Sequence, residues 1–171
     1  AASRPLTEEV VSDEALFTRL QTESQSLEEL LGALKGKRER LAATPCAWPA
    51  EGWVTSGFGY RISPFTGRRD FHAGVDIAAE FGTPIVAPAP GRVIFAGRKG
   101  GLGTAVVVDH GFGVRTIYGH LQRILVQPGT RVARGQQLAT MGSSGLSTGP
   151  HVHYMVEVGG KRVDPLDYIV E

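Results

Sequence analysis

The sequence predicts a mainly β protein preceded by an α-helical segment, and the first evidence is where glycine and proline lie. Only two of the 23 glycines and three of the ten prolines fall before residue 50. Glycine and proline interrupt helices and favour turns. We therefore predict helix over residues 8–43 and a compact antiparallel β-sheet domain over residues 52–171.

Composition limits the class of protein. With 171 residues, 42% hydrophobic and 20% charged, the chain is expected to form one globular domain, or one domain with an appendage. The single cysteine, Cys46, excludes an intrachain disulfide and a cysteine-based zinc site. No apolar run approaches the length of a membrane-spanning helix. A formal net charge of +1 argues against a dedicated nucleic-acid binder.

The predicted helix carries a heptad pattern. Leu20, Leu27, Leu34 and Leu41 are seven residues apart, with Phe17, Ser24, Leu31 and Arg38 at the complementary positions. An apolar seam with this spacing suits another helix, although Ser24 and Arg38 weaken it. We interpret the segment as the tail of a longer coiled coil, and an amphipathic helix that packs on the β domain is nearly as good an interpretation.

The domain organisation follows from the same patterns. We predict a helical tail of a longer N-terminal region over residues 1–45, a linker over 46–51 and the β domain over 52–171. Pro45 and Pro49 support the linker because two prolines in five residues favour extended chain.

Alternating apolar residues and turn signals predict the strands of the second half. The predicted strands include 92–96, 104–109, 114–118, 136–141, 152–158 and 161–163. His110 is expected at the tip of the hairpin between the second and third of these, with no chemical role.

Four of the five histidines stand in contexts that suggest chemistry. His151 and His153 would project from one face of a strand, because alternate strand residues share a face. His72 and Asp76 are separated by a segment with Gly74 in the middle, so the chain can turn and bring both side chains together. His120 follows a predicted strand. Each of these contexts has a plainer alternative. His151 and His153 could be a surface pair, Asp76 could cap a turn, and His120 could be structural.

Together these residues predict more than each does alone. Three protein ligands and one open position make a catalytic zinc site, and nitrogen of His and oxygen of Asp are both good zinc ligands. The histidines left over would be available as general base and as oxyanion stabiliser near pH 7.

In these residues the chain resembles the lysostaphin-type (LytM-like) zinc endopeptidases of bacterial cell walls, over residues 52–168. The matching motifs are His72-Ala73-Gly74-Val75-Asp76, Gly119-His120 and Ser147-Thr148-Gly149-Pro150-His151-Val152-His153, with 54–61 and 82–87 adding to the match. The resemblance implies that His72, Asp76 and His153 bind Zn²⁺. It implies that His120 and His151 flank the attacking water as base and oxyanion stabiliser, in either order.

The resemblance also implies the function that we expect. This is zinc-dependent hydrolysis of peptide bonds in peptidoglycan stem peptides or cross-links, in the periplasm or envelope of a bacterium. The sequence begins without a signal peptide, so we expect either a removed export signal or a piece of a longer protein. A protein partner or self-association through the helix is a further expectation.

Three alternatives accompany that expectation. The first is a non-enzymatic regulator that activates a cell-wall amidase through its coiled coil, although the presence of all five motif residues favours an enzyme. The second is an enzyme inhibited by its own N-terminal segment, with a carboxylate such as Glu51 in the open position. The third, a biotinyl or lipoyl carrier, is poorly supported because Lys99 lacks the expected context.

Overall fold

The computed structural model describes residues 12–170. One long helix, α1 (Asp13–Ala42), comes first. Ser12 caps it, because its Oγ accepts a hydrogen bond from the backbone N–H of Ala15 at 3.3 Å. This confirms the predicted helix, whose residues 8–11 lie outside the described part. No residue of α1 is buried. None of the helices in the described residues combines the length and the apolar character that crossing a membrane requires.

The rest of the described chain is built mainly of short strands. They are β1 (Trp53–Ser56), β2 (Gly59–Ile62), β3 (Arg69–His72), β4 (Val75–Ala78), β5 (Pro84–Val86), β6 (Gly91–Arg98), β7 (Thr104–Gly111), β8 (Val114–Gly119), β9 (Leu121–Ile124), β10 (Arg131–Val132), β11 (Gln137–Met141), β12 (His151–Val158) and β13 (Lys161–Val163). Two 3₁₀ turns, Gly100–Leu102 and Pro165–Asp167, complete the structure. The strands predicted from the sequence are all present.

The strands form three antiparallel sheets. The largest has the order β1-β4-β12-β8-β7-β6-β10, with β13 paired to β12. A three-stranded sheet has the order β5-β11-β9, and β2 and β3 form a hairpin of their own. The mainly antiparallel β fold with a preceding helix is therefore confirmed. Strands β4 and β12, which carry candidate site residues, are neighbours in the large sheet.

The two faces of β12 have different surroundings. Val152 and Tyr154 are fully buried and belong to the main hydrophobic core, which Ile77 of β4 also joins. His151 and His153 alternate with them and so face the opposite side of the sheet. Burial of the apolar face fixes the register of the strand, because a slip of one residue would exchange the two faces. The core thus determines where the two histidines project.

The described chain divides into two compact units, one ending at Glu39 and one beginning at Arg40. The residues after the helix belong to the second unit, in which Ala43 and Ala50 are buried. The carbonyl of Pro49 accepts a hydrogen bond from the N–H of Val86 at 2.8 Å. The segment predicted as a linker is thus attached to the β structure.

His110 does not lie where the sequence predicted it, so that prediction is wrong. The residue lies within β7 and is 7% exposed. The turn of the hairpin is Phe112–Gly113, with positive φ angles of 51° and 75°. A two-residue turn with two positive φ angles matches the twist of the strands, and it extends the ladder past His110.

Candidate metal centre

Strand pairing brings two of the predicted site residues together. In the ladder between β4 and β12, Asp76 and His153 are direct partners. His72 ends β3, and the short turn through Gly74 connects it to β4. A Cβ atom at Gly74 would lie 2.3 Å from the carbonyl oxygen of Tyr154. The turn can approach β12 so closely only because residue 74 has no side chain.

The side chains of His72, Asp76 and His153 converge on one point. His153 Nδ1 lies 2.7 Å from Asp76 Oδ1, and His72 Nε2 lies 3.1 Å from the same oxygen. The two ring nitrogens are 3.0 Å apart. All three residues are buried, and their donor atoms could hold one metal ion.

Contacts on the far side of these groups fix their orientation. The Nδ1–H of His72 donates to the carbonyl oxygen of Gly57 at 2.7 Å, so Nε2 is left for the centre. The Arg61 guanidinium donates to Asp76 Oδ2 at 3.1 Å, so Oδ1 is the oxygen that faces the rings. Such outer contacts orient metal ligands and set the histidine tautomer.

His120 and His151 lie beside the three converging residues. Their ring centroids are 4.7 Å apart, and His151 Nε2 lies 3.8 Å from Asp76 Oδ1. Each ring donates its Nδ1–H to a backbone carbonyl, His120 to Ser144 at 2.6 Å and His151 to Gly149 at 2.8 Å. Nε2 of each ring is then free to exchange a proton with a bound molecule.

The backbone of His120 is unusual, with a φ of 61°. Left-handed backbone is uncommon for residues other than glycine and costs about 1 kcal/mol or more. Two hydrogen bonds of the backbone hold it: His120 N–H donates to Leu102 at 2.8 Å and its carbonyl accepts from Ser144 at 3.3 Å.

Two pKa values at the centre are shifted. Burial raises the pKa of Asp76, but hydrogen bonds and charge from His153 and His72 outweigh it and hold that pKa well below the ordinary 3.8. Burial lowers the pKa of His120, while the Ser144 carbonyl opposes the change. At neutral pH the centre therefore presents a carboxylate, which is able to bind a metal, and a neutral imidazole, which is able to accept a proton.

A cavity of about 590 Å³ opens over these residues and includes all five of them. Gly101, Leu102, Leu146 and Thr148 contribute to its lining. The N–H of Leu146 donates to the Gly101 carbonyl at 2.9 Å, so the glycine-rich loops at residues 97–103 and 142–149 support each other. Glu51 and Trp48 line a separate cavity. Among the described residues, Glu51 is not one of those that line the cavity over the site.

The sequence indicates neither a role for Arg61 nor the backbone carbonyls that anchor the rings. Arg61 lies in a segment that the resemblance included, but no local pattern indicated that it would reach a carboxylate 15 residues away. The carbonyls of Gly57, Ser144 and Gly149 leave no signal in a sequence, because every residue has one.

A family model for peptidase family M23 matches residues 70–165. The DD-carboxypeptidase/endopeptidase Mpg of Neisseria meningitidis is 43% identical over 113 residues, which are 66% of this chain and 26% of that protein. The lipoprotein NlpD/LppB homolog of Pseudomonas aeruginosa is 38% identical over 130 residues, 74% of this chain and 43% of that protein. The chain thus spans about a quarter of the length of the first relative and less than half of the length of the second.

Solved structures resemble the chain as well. A zinc containing peptidase from Vibrio cholerae matches with a TM-score of 0.65 and 37% identity, over 70% of this chain and 38% of that one. The catalytic domain of lysostaphin from Staphylococcus simulans matches with a TM-score of 0.61 and 30% identity, over 68% of this chain and 91% of that one.

Proposed function

Because the chain belongs to peptidase family M23, we propose that it is a zinc-dependent endopeptidase that hydrolyses peptide bonds in peptidoglycan stem peptides or cross-links. The observation that carries the proposal is the convergence of His72, Asp76 and His153 on one point. The names of the relatives support both the metal and the reaction. We propose that the protein acts after export, in the periplasm or cell envelope.

The donor atoms fit zinc. Two imidazole nitrogens and one carboxylate oxygen are a common set of three protein ligands at catalytic zinc. The separations of 2.7 to 3.1 Å are somewhat shorter than the roughly 3.4 Å expected between ligands at a tetrahedral zinc ion, so the three groups would move slightly apart to admit it. His72 would bind through Nε2, Asp76 through Oδ1 and His153 through Nδ1. Zinc held there would supply a Lewis acid that polarises the scissile carbonyl and makes water more acidic.

The two neighbouring histidines would move the protons. With Nδ1–H committed to a backbone carbonyl, each ring has Nε2 available on the side of the cavity. One ring would accept the proton of the attacking water at Nε2 and pass it to the leaving amine. The other, protonated at Nε2, would donate to the developing oxyanion. The lowered pKa of His120 keeps that ring unprotonated near pH 7, as a proton acceptor must be.

The cavity suits a peptide substrate. Its walls contribute backbone groups and small residues of two loops, among them Gly101 and Gly149. Such walls admit an extended chain with small side chains and offer amides and carbonyls for hydrogen bonds. Placement of the scissile bond beside the ligands would then bring it within reach of both His120 and His151.

The direct test is digestion of purified peptidoglycan sacculi by the purified protein. We expect soluble muropeptides to be released, release to stop when a chelator removes the metal, and release to return with added Zn²⁺. Mass spectrometry of the products identifies the bond that is cut. Intact sacculi after incubation with the zinc-loaded protein would contradict the proposal.

The helix favours a second candidate, regulation of a cell-wall amidase without hydrolysis by this chain. Leu20, Leu27, Leu34 and Leu41 are all exposed along α1, which suits a partner helix or a second copy. A relative named as an NlpD/LppB homolog makes this function worth testing. A regulator would release no muropeptides alone but would increase their release by an added amidase.

A further inference from the structure

Arg61 makes an ion pair with Asp76, and this ion pair has no role in the proposed mechanism. Its Nη1 lies 3.1 Å from Asp76 Oδ2 and also donates to the hydroxyl of Ser56. The side chains of Arg61 and Asp76 are 30% and 11% exposed, so water screens this pair less than a surface pair. A hydrogen bond between ionised groups in such surroundings is among the stronger contacts in a protein.

The pair joins two sheets. Arg61 lies on β2, whose hairpin with β3 carries His72, whereas Asp76 lies on β4 of the large sheet. Ser56 is the ladder partner of Asp76 on β1, next to an irregularity between Val54 and Ser56. Such bulges redirect side chains. One guanidinium nitrogen of Arg61 on β2 therefore contacts both β1, through Ser56, and β4, through Asp76.

Metal binding makes this contact more important. The torsion that turns an aspartate carboxylate is broad and nearly two-fold, so the residue itself does not select which oxygen faces the rings. Without metal, His153 can donate from Nδ1 to Oδ1, and His72 can donate from Nε2 only when its ring is doubly protonated, because its Nδ1–H already donates to Gly57. A ring nitrogen that binds a metal carries no proton, so it can no longer hold the carboxylate in this way. The contact from Arg61 to Oδ2 is compatible with both states.

We propose that Arg61 is a positioning residue for the metal centre. It holds Oδ2 of Asp76, so that Oδ1 alone is presented to the metal, and it keeps the hairpin with His72 in register with β4. The proposal rests on the metal site of the proposed function and not on which bond the enzyme cuts.

Three variants test this role: Arg61→Gln, Arg61→Lys and the control Arg68→Gln. Arg68 is exposed and lies outside the site cavity. Zn²⁺ affinity is measured by competition with a chelator, and the visible spectrum of the Co²⁺-loaded protein reports the number and arrangement of ligands. We expect Arg61→Gln to weaken Zn²⁺ binding by about 10- to 100-fold and to alter the Co²⁺ spectrum.

Arg61→Lys should restore most of the affinity and the spectrum, because an ammonium group keeps the charge and can donate to both oxygens. Arg68→Gln should match the wild type. Wild-type affinity and an unchanged spectrum in Arg61→Gln would overturn the proposal, even if cleavage fell. An equal loss in Arg61→Lys and Arg61→Gln would overturn it as well, because charge and hydrogen bonding would then be irrelevant.

Folding is checked on the metal-free proteins by circular dichroism and thermal melting. If Arg61→Gln does not fold, Ser56→Ala is the variant that tests the proposal. Ser56→Ala should weaken Zn²⁺ binding, by less than the factor expected for Arg61→Gln. Unchanged Zn²⁺ affinity in Ser56→Ala would overturn the proposal. A wild-type protein that binds Zn²⁺ but leaves sacculi intact refutes the proposed function alone. A wild-type protein that binds no Zn²⁺ refutes both.

Discussion

Asp76 and His153 face each other across neighbouring strands of the large sheet, with Oδ1 and Nδ1 2.7 Å apart, although 77 positions separate them in the sequence. Their placement follows from the core beneath them. Val75 and Ile77 on β4, and Val152 and Tyr154 on β12, are buried on the other face of the sheet. The site is therefore as rigid as the ladder that supports it, which is what a preorganised metal centre requires.

Gly74→Ala is expected to destabilise the protein. The new methyl group would meet the carbonyl of Tyr154 at 2.3 Å and the side chain of Met155 at 2.6 Å. Displacement of the turn at Gly74 from β12 should cost about 1–3 kcal/mol of unfolding free energy, measured by urea denaturation. Gly57→Ala is the control, because a Cβ there meets nothing within 4 Å. Equal stability of the two variants would contradict this account.

His110 should make the protein less stable in mild acid. Burial lowers its pKa below 6.5, against the opposing effects of the Pro90 carbonyl and Asp109. Below pH 6.5 the unfolded chain takes up a proton that the folded chain resists, so unfolding free energy falls as pH falls. Each unit by which folding lowers the pKa of His110 corresponds to a loss of about 1.4 kcal/mol of unfolding free energy at low pH.

The measurement is the unfolding free energy of wild type and His110→Gln at several pH values between 8 and 5. The wild type should lose more stability than the variant over this range. His120 contributes in the same direction, but it is present in both proteins and cancels in the comparison. Parallel losses in the two proteins would show that His110 has no such effect.

The strands of β6, β7, β8 and β12 could be predicted from the sequence because apolar residues and turn signals mark them clearly. Strands β1, β2 and β3 could not, since they are only four residues long and largely exposed. Short strands with little buried surface lack the alternation that sequence analysis depends on. His110 was misplaced for a related reason: glycines on both sides of Phe112 gave several possible turn positions.

The meeting of His72, Asp76 and His153 was predictable in part. The strand period placed His151 and His153 on one face, and Gly74 suggested a turn between His72 and Asp76. What brings the two groups together is the pairing of β4 with β12, a long-range contact with no local signal. Arg61 was missed for the same reason. The roles of the five site residues stay predictions.

His120→Ala and His151→Ala should separate catalysis from metal binding. Neither ring is among the three that converge on the candidate metal position, so each variant should keep its zinc. Cleavage of sacculi should fall by about 10² to 10⁴-fold, the usual contribution of a general acid or base. Zinc content and muropeptide release are measured on the same preparations. A variant that keeps wild-type cleavage removes its histidine from the mechanism.

A fragment of residues 40–171 should fold without the helix. The core residues of the β structure all lie within this unit, and no residue of α1 is buried. We expect a cooperative thermal transition and the same zinc content as the full chain. Faster cleavage by the fragment would support inhibition by the removed residues, whereas an equal rate would exclude inhibition by residues 1–39. An unfolded fragment would contradict the expectation.

The zinc content of wild type and His153→Ala, measured by metal analysis after dialysis against trace zinc, tests the central claim most directly. The account predicts one tightly held zinc ion per chain in the wild type. His110→Gln, the matched histidine control, should hold the same zinc. His153→Ala should lose both the zinc and the digestion of sacculi. Full zinc retention by His153→Ala would show that His72, Asp76 and His153 are not the ligand set.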